Sequence, residues 1–256
     1  MPFSARQIAV LHQLTQLWTP ERFVLIGASA LGCFLDMRWR GTADLDLTLA
    51  ASLEEYLDET LAPGWRRDRW MEHRWYSPGG EIIDIIPAGS ELLRKGEMQW
   101  PRTGHRMSLV GLRLAFERGV PVATAAPDLT IKVAPVPVLT VLKIVAYQDR
   151  PTERGRDLTD LAYIFTEYEP EDRFAADVID LGMSYEEVGP FLLARKISEM
   201  VNDAERAQVN RFVREASDED DPSGIHAKLL ALGPPSWRRD PNELIQCMRA
   251  FTRGFH

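Results

Sequence analysis

Apolar and polar residues recur with two different periods in the first part of the chain. A helical period comes first and is carried by Ile8, Leu11, Leu14 and Trp18. The apolar run 23–26 then ends at Gly27, which predicts a buried strand that enters a turn, and a helix is expected over 29–35. Leucines then alternate with Asp44, Asp46 and Thr48, which is the period of a half-buried strand.

Two further patterns complete the predicted first domain. Residues 53–61 are acidic and favour a short helix, whereas residues 69–76 and 81–86 favour strands. The segment between these strands, Ser77-Pro78-Gly79-Gly80, is typical of a hairpin turn. The order of elements is helix, strand, turn, helix, strand, helix and hairpin. This order predicts an α/β or α+β fold with a small mixed β-sheet.

Helical patterns dominate from about residue 140 onward. The predicted helices cover residues 139–148, 158–168, 185–210 and 244–251. The acidic stretch 217–223 and the proline-rich stretch 233–241 favour loops. The simplest division is therefore a mixed-sheet domain over residues 1–135 and a helical domain over residues 136–256.

Composition and charge narrow the class of protein. The net charge of -8 argues against a protein that coats nucleic acid through a basic surface. The basic, tryptophan-rich segment 65–76 is either a local nucleic-acid patch or an amphipathic strand with arginine stems lying over it. Cys33 and Cys247 have no disulfide or zinc spacing. No apolar stretch reaches the length of a membrane span, and the N-terminus is unlike a signal peptide, so we expect a cytoplasmic protein without a membrane partner.

Two carboxylates stand on the polar face of the strand predicted at residue 44. Residues two apart in an extended chain project to the same face, so Asp44 and Asp46 lie side by side. Two carboxylates on an apolar strand repel each other and lose hydration, and a divalent cation relieves both penalties. Magnesium suits such a pair because it prefers oxygen ligands and retains sites for waters and substrate phosphates, and Mn²⁺ is the alternative.

The preceding turn and a third carboxylate complete a candidate reaction centre. Gly27 permits close backbone approach, and the helix after it would present unpaired N–H groups to a phosphate. Ser29 either caps that helix or donates its hydroxyl to a phosphate oxygen. Asp84 lies in an apolar run and is expensive to bury without a metal or hydrogen bonds. We expect it on the same side of the sheet as the acid pair, binding a metal and taking a proton from an attacking hydroxyl.

These residues resemble the signature of the polymerase-beta-like nucleotidyltransferase superfamily. That signature has a Gly-Ser turn, a spacer helix, an Asp-x-Asp strand and a third acid on a later strand. The matching residues are Gly27, Ser29, the run Arg40-Gly41-Thr42-Ala43-Asp44-Leu45-Asp46, and Asp84. The resemblance implies metal binding by the three acids. It also implies nucleotide binding by Gly27, Ser29, Arg40 and Thr42, although the last two residues could instead fix the loop before the strand.

A second block resembles the helical part of the AbiEii/AbiGii-type toxin nucleotidyltransferases. It comprises Leu142-Lys143-Ile144-Val145-Ala146, Arg150 and Arg156-Asp157-Leu158-Thr159-Asp160-Leu161. The resemblance implies that Lys143 contacts nucleotide phosphate and that Asp157 supports the catalytic centre, so that the helical domain completes the nucleotide site. The plainer alternatives are a lysine that reaches solvent and an acid that favours a helix N-terminus. Asp160 is predicted to be structural.

The resemblance implies a magnesium-dependent enzyme that moves a nucleoside monophosphate from a nucleoside triphosphate to an acceptor hydroxyl. The implied acceptor is the end of a tRNA or another RNA, and the protein would be the toxin of a toxin–antitoxin pair with a cognate antitoxin. A small-molecule acceptor, such as an aminoglycoside, is the alternative within the enzyme class. A nucleotide-binding regulatory module without turnover is the alternative outside it.

Overall fold

A computed structural model describes residues 3–58, 61, 63–126, 128–231 and 240–256. The chain divides into two units, Met1–Leu139 and Thr140–His256. A mixed sheet with helices occupies the first unit and helices alone are described in the second, so the predicted mixed α/β class is confirmed. No helix among the described residues has the length and apolar character that crossing a bilayer requires.

A seven-stranded sheet organises the first unit. In chain order the elements are α1 (Ala5–Leu17), β1 (Phe23–Ile26), α2 (Gly27–Leu31), β2 (Asp44–Leu49), α3 (Leu53–Asp58), β3 (Arg66–Arg67), β4 (Arg74–Tyr76), β5 (Ile82–Pro87), α4 (Ser90–Lys95), β6 (Glu97–Gln99), β7 (Arg106–Ser108), α5 (Leu112–Arg118), β8 (Val120–Ala123) and β9 (Thr130–Val133). The strand order is β3-β4-β5-β2-β1-β9-β8, and β6 and β7 form a separate antiparallel pair.

The central strands carry the core because they are the most apolar. All four residues of β1 are buried, and Leu45, Leu47 and Leu49 of β2 have no exposed surface. Strand β2 is antiparallel to β1 and parallel to β5, with Asp46 opposite Asp84. Because directly opposed residues project to the same face of a sheet, the two aspartates share one face. The expectation that Asp84 lies on the side of the acid pair is therefore confirmed.

Most predicted elements of the first unit are present, with two differences. The hairpin is confirmed as β4 and β5, whose turn is closed by Gly80 N–H donating to the Ser77 carbonyl. Residues 69–73 are not a strand, because the Asp68 carboxylate accepts the N–H groups of Trp70 (2.7 Å) and Met71 (2.9 Å) and folds a turn there. The helix expected over 29–35 instead spans Gly27–Leu31. Residues 59 and 60 of the predicted acidic helix lie outside the described residues.

The second unit is built from helices. They are α6 (Val136–Asp149), which runs across the division, α7 (Gly155–Glu167), α8 (Ala176–Ile179), α9 (Tyr185–Met200), α10 (Asp203–Ala216), α11 (Ile225–Ala231) and α12 (Pro241–Phe255). Helix α12 packs against α9 and α7. The centre of this packing includes the rings of Phe165 and Phe251, whose centroids lie 4.7 Å apart.

The single helix predicted over 185–210 is wrong. Helix α9 ends at Met200, the backbone of Val201 is extended, and Asn202 is the N-cap of the next helix, α10. The Asn202 side chain accepts the Glu205 N–H (3.0 Å) and the Glu205 carboxylate accepts the Asn202 N–H (2.9 Å), which is a capping box. The predicted loop at 217–223 lies between α10 and α11, and most of the predicted loop at 233–241 lies outside the described residues.

Candidate active site

The acid pair opens the central strand β2. Asp44 and Asp46 are half-buried, whereas Leu45 and Leu47 between and beyond them are fully buried. The strand period therefore divides these residues as the sequence predicts, with carboxylates on one face and leucines in the core. Asp84 on the neighbouring strand β5 is 8% exposed. The three carboxylates thus lie on one face of the sheet, on the neighbouring strands β2 and β5.

Gly27 lies directly against Asp46. The antiparallel register of β1 and β2 places Ile26 opposite Asp46, so the next residue crosses over the aspartate side chain. Gly27 has a φ of 72°, and a Cβ built on it would lie only 2.1 Å from Asp46 Oδ2. A side chain at this position would therefore both strain the backbone and displace the carboxylate. The glycine is required by the acid that follows it on the next strand.

Ser29 ties the turn to the acid strand. It lies inside α2, a helix of five residues whose N-cap is Ile26, so Ser29 does not cap the helix. Its side chain is buried, and the hydroxyl donates to the main-chain carbonyl of Asp44 at 2.8 Å. This bond fixes the start of β2 against α2.

The loop before β2 orients the first carboxylate. Thr42 Oγ1 donates to Asp44 Oδ1 at 2.8 Å, so the threonine fixes the direction of the Asp44 side chain. Arg40 lies earlier in the same loop and is partly exposed, and its N–H donates to the Met37 carbonyl at 2.9 Å. The Thr42–Asp44 contact fits the structural alternative, in which Thr42 fixes the loop before the strand.

Asp84 has a cationic partner that the sequence reasoning missed. Arg74 donates to both oxygens of Asp84, through Nε to Oδ1 at 2.8 Å and through Nη2 to Oδ2 at 2.7 Å. The same Nη2 lies 3.8 Å from Asp44 Oδ2, and His73 Nε2 lies 3.8 Å from Asp84 Oδ2. The hydrogen bonds and charge of Asp84 raise the pKa of Arg74, so the guanidinium stays protonated. The turn at residues 77–80 could have revealed this pair, since its register puts residue 74 opposite residue 84.

The donor set suits a hard divalent cation. Asp44, Asp46 and Asp84 offer only carboxylate oxygens, the ligands that Mg²⁺ and Mn²⁺ prefer. Within the described part of the chain, no three His, Cys, Asp or Glu side chains are grouped closely enough to hold a metal ion. In this arrangement both oxygens of Asp84 accept hydrogen bonds from the Arg74 guanidinium.

The second unit contains a buried lysine between two acids. Lys143 on α6 is 5% exposed, so the alternative in which its ammonium reaches solvent is wrong. Its Nζ donates to Asp157 Oδ1 at 3.1 Å and to Asp160 Oδ2 at 2.5 Å, both on α7. Asp157 lies in the first turn of α7, and Asp160 is fully buried. A buried ammonium of this kind needs such carboxylate partners to offset its lost hydration.

The basic segment at the sheet edge divides between two roles. The guanidinium carbon of Arg67 lies 4.9 Å from the centre of the Tyr56 ring and 4.5 Å from that of Trp75. These contacts are the ones that the amphipathic-strand alternative predicts. Trp75 is buried, but Trp70 on the turn after β3 is 81% exposed and does not pack on the sheet. Trp70 and its exposed neighbour Arg69 therefore remain accessible from solvent.

Comparison with known protein families gives a match over most of the chain. A family model described as "Nucleotidyl transferase AbiEii toxin, Type IV TA system" matches residues 11–239, most of the chain. The matched range contains every site residue that the sequence predicts, and the match confirms the resemblance given above. A search of curated proteins found no match.

Proposed function

We propose a metal-dependent nucleotidyl transfer for this chain, which belongs to the AbiEii family of nucleotidyltransferase toxins of type IV toxin–antitoxin systems. Members of this family are transferases. The proposal is that an acceptor hydroxyl attacks the α-phosphorus of a nucleoside triphosphate. The bond from the α-phosphorus to the pyrophosphate leaving group breaks, and a nucleoside monophosphate is left on the acceptor. Magnesium, or manganese in its place, would be held by Asp44, Asp46 and Asp84.

One observation carries the proposal. Asp46 stands opposite Asp84 on parallel neighbouring strands, and Asp44 shares their face. Three carboxylates on one sheet face repel one another and lose hydration, and the single charge of Arg74 beside Asp84 offsets only one of their three charges. A divalent ion bound there would neutralise charge on the triphosphate and the attacking oxygen.

The residues around the acids have separate tasks in this proposal. Thr42 directs the Asp44 carboxylate, and Gly27 leaves the space that the Asp46 carboxylate fills. Ser29 holds β2 in register with the turn through the Asp44 carbonyl. Asp84 would accept the proton of the acceptor hydroxyl. Catalysis of this kind depends on positioning and electrostatics and requires no covalent intermediate.

We assign Lys143 and Asp157 to the nucleotide. The Lys143 ammonium is buried and shared between two carboxylates, Asp157 and Asp160. Asp160 is fully buried, whereas the Asp157 side chain is 14% exposed. We therefore infer that Asp160 is the structural partner of Lys143, and that Asp157 exchanges with phosphate when nucleotide binds to the lysine.

An RNA end is the acceptor that the accessible residues favour. The exposed Trp70 indole could stack on a base, and Arg69 beside it could contact a phosphate. The acidic net charge of -8 would instead favour a small cationic acceptor, such as an aminoglycoside. A cognate antitoxin is the protein partner that membership of a type IV toxin–antitoxin family suggests.

Transfer of radiolabel tests both the reaction and its acceptor. Each α-labelled nucleoside triphosphate is incubated with the protein, Mg²⁺ or Mn²⁺, and either total tRNA or a panel of small hydroxylated acceptors. Asp44→Asn and Asp46→Asn each remove one ligand charge, so we expect transfer to fall by about 100-fold or more. Asp58→Asn makes the same change on the exposed end of α3 and should leave transfer unaltered.

The outcomes separate the alternatives. Labelled tRNA supports the RNA acceptor, and label on a small molecule supports a nucleotidyltransferase that acts on small molecules. An Asp46→Asn protein that turns over at the rate of the wild type, with an unchanged circular dichroism spectrum, contradicts the proposed centre. Nucleotide binding that is independent of metal, together with no transfer to any acceptor, would indicate the regulatory module.

A further inference from the structure

Arg74 is a cation that already lies on the acid face, the face of the sheet that carries Asp44, Asp46 and Asp84. Its guanidinium donates one N–H to each oxygen of Asp84, in the two-pronged geometry that gives the strongest arginine–carboxylate contacts. The Asp84 side chain is only 12% exposed and that of Arg74 20%. Water therefore screens this pair much less than it screens an ion pair at the surface.

The backbone fixes Arg74 in this position. Arg74 is directly opposite Asp84 in the antiparallel pairing of β4 and β5. The Arg74 N–H donates to the Met71 carbonyl at 3.0 Å, and the Arg74 carbonyl accepts the Asp68 N–H at 2.8 Å. On the other face of β4, Trp75 Nε1 donates to the Tyr56 hydroxyl at 3.0 Å. The guanidinium is thus held at the acids by the strand as well as by its own hydrogen bonds.

The same guanidinium also faces the acid pair. Its Nη2 lies 3.8 Å from Asp44 Oδ2, on the strand beyond Asp84. A second cation that binds Asp44 and Asp84 must compete for the same oxygens and would meet the like charge of Arg74 at close range. The two cations therefore compete for this pair of acids.

We propose that Arg74 is a built-in counter-cation that a divalent ion must displace from Asp84, so that Arg74 sets the metal affinity of the site. This inference rests on the metal site proposed at Asp44, Asp46 and Asp84. In the absence of metal, Arg74 stabilises the acid face and keeps its affinity for free divalent ions low. Arg74 is a positioning residue, since it acts on Asp84 and not on the substrate.

Direct metal binding tests the proposal without any measurement of turnover. Free Mn²⁺ is followed by electron paramagnetic resonance during titration of the wild type, Arg74→Gln and Arg66→Gln. Arg66 lies on β3 with its guanidinium 4.7 Å from the centre of the Tyr76 ring, so Arg66→Gln removes an equal charge from the same sheet edge. We expect Arg74→Gln to bind Mn²⁺ at least about tenfold more tightly than the wild type, and Arg66→Gln to bind as the wild type does.

Two further variants keep the result decisive. Arg74→Lys retains a charge for folding but lacks the planar pair of donors, and it should bind Mn²⁺ about threefold more tightly than the wild type. Asp84→Asn is measured alone and combined with Arg74→Gln: the combined variant should bind Mn²⁺ no more tightly than Asp84→Asn alone, which locates the gain at Asp84. If neither Arg74 variant binds Mn²⁺ more tightly than the wild type, Arg74 is not a competing cation.

Failure of this inference differs from failure of the proposed function. Transfer that requires Asp46, with Mn²⁺ affinity unchanged in both Arg74 variants, overturns the role of Arg74 alone. Tighter Mn²⁺ binding by Arg74→Gln, with no transfer to any acceptor, supports the competition and overturns the proposed reaction.

Discussion

Replacing Gly27 by alanine tests how the turn and the acid strand depend on each other. The added Cβ would lie 2.1 Å from Asp46 Oδ2, 2.6 Å from its Cγ and 2.7 Å from its Cβ. Contacts below 3.0 Å do not persist, so Asp46 Oδ2 must move by about 0.9 Å to reach that limit. The substitution therefore perturbs the acid face without removing any acidic group.

Two costs add in the Gly27→Ala protein. A left-handed φ costs an alanine about 1–2 kcal/mol. Forcing extra volume against packed atoms costs about 1–3 kcal/mol more, so the free energy of unfolding should fall by roughly 2–5 kcal/mol. A carboxylate misplaced by about 1 Å should also lower transfer by about 100-fold.

Gly80 supplies the matched control for the strain. It has a φ of 88°, and among the described residues no atom lies within 4 Å of the position that its Cβ would take. Gly80→Ala should therefore lose only about 1–2 kcal/mol. Urea unfolding followed by circular dichroism measures both proteins.

A double-mutant cycle isolates the collision. In an Asp46→Gly background the Cβ at residue 27 meets none of the three Asp46 atoms, so Gly27→Ala should cost no more than Gly80→Ala does. The account of Gly27 is refuted if the two alanine substitutions destabilise the wild type equally. It is also refuted if Gly27→Ala costs as much without the Asp46 side chain as with it.

Two further predictions concern titratable groups outside the acid face. Burial opposes ionisation of Glu72, but hydrogen bonds from Thr103 and from the main chain of Arg102 outweigh it and lower the pKa of the carboxyl below 4.5. The contribution of ionised Glu72 to the free energy of unfolding is therefore complete above pH 4.5 and is lost as pH falls through the lowered pKa. In urea unfolding, Glu72→Gln should cost about 1–3 kcal/mol at pH 7 and less at pH 3. An equal cost at both pH values would contradict this. Burial raises the pKa of the Cys33 thiol to about 12. At pH 8, iodoacetamide should therefore modify Cys33 roughly 1,000-fold more slowly in the native protein than in urea, as measured by peptide mass spectrometry. Native and unfolded modification rates within tenfold of each other would contradict this prediction.

The acid strand could be predicted because its pattern is local. Leucines alternate with Asp44, Asp46 and Thr48 over residues 44–49, with a period of two. The hairpin at residues 77–80 could be predicted for a similar reason, since proline and two glycines separate an aromatic-containing segment from an apolar one. These two patterns do not fix the pairing of β2 with β5, and it is this pairing that places Asp84 on the face of Asp44 and Asp46.

Other features depend on bonds between side chains and backbone that apolar spacing does not reveal. The turn at 69–73 exists because the Asp68 carboxylate accepts two main-chain N–H groups. The break between α9 and α10 exists because Asn202 and Glu205 cap each other's main chain. In each case a short polar side chain, that of Asp68 or Asn202, ends the predicted element by accepting main-chain N–H groups.

The acid face shows why a sequence signature predicts metal ligands better than it predicts the residues that contact those ligands when no metal is bound. Asp44 is directed by Thr42, two residues away, and Asp46 is accommodated by Gly27 on the adjoining turn. Asp84, in contrast, is held by Arg74 across a hairpin, so its partner is set by strand register rather than by nearby sequence. Register therefore determines whether the third acid meets solvent or a cation when no metal is bound. A signature of three acids predicts that a site can bind metal, whereas the residue opposite the third acid determines how strongly it does so.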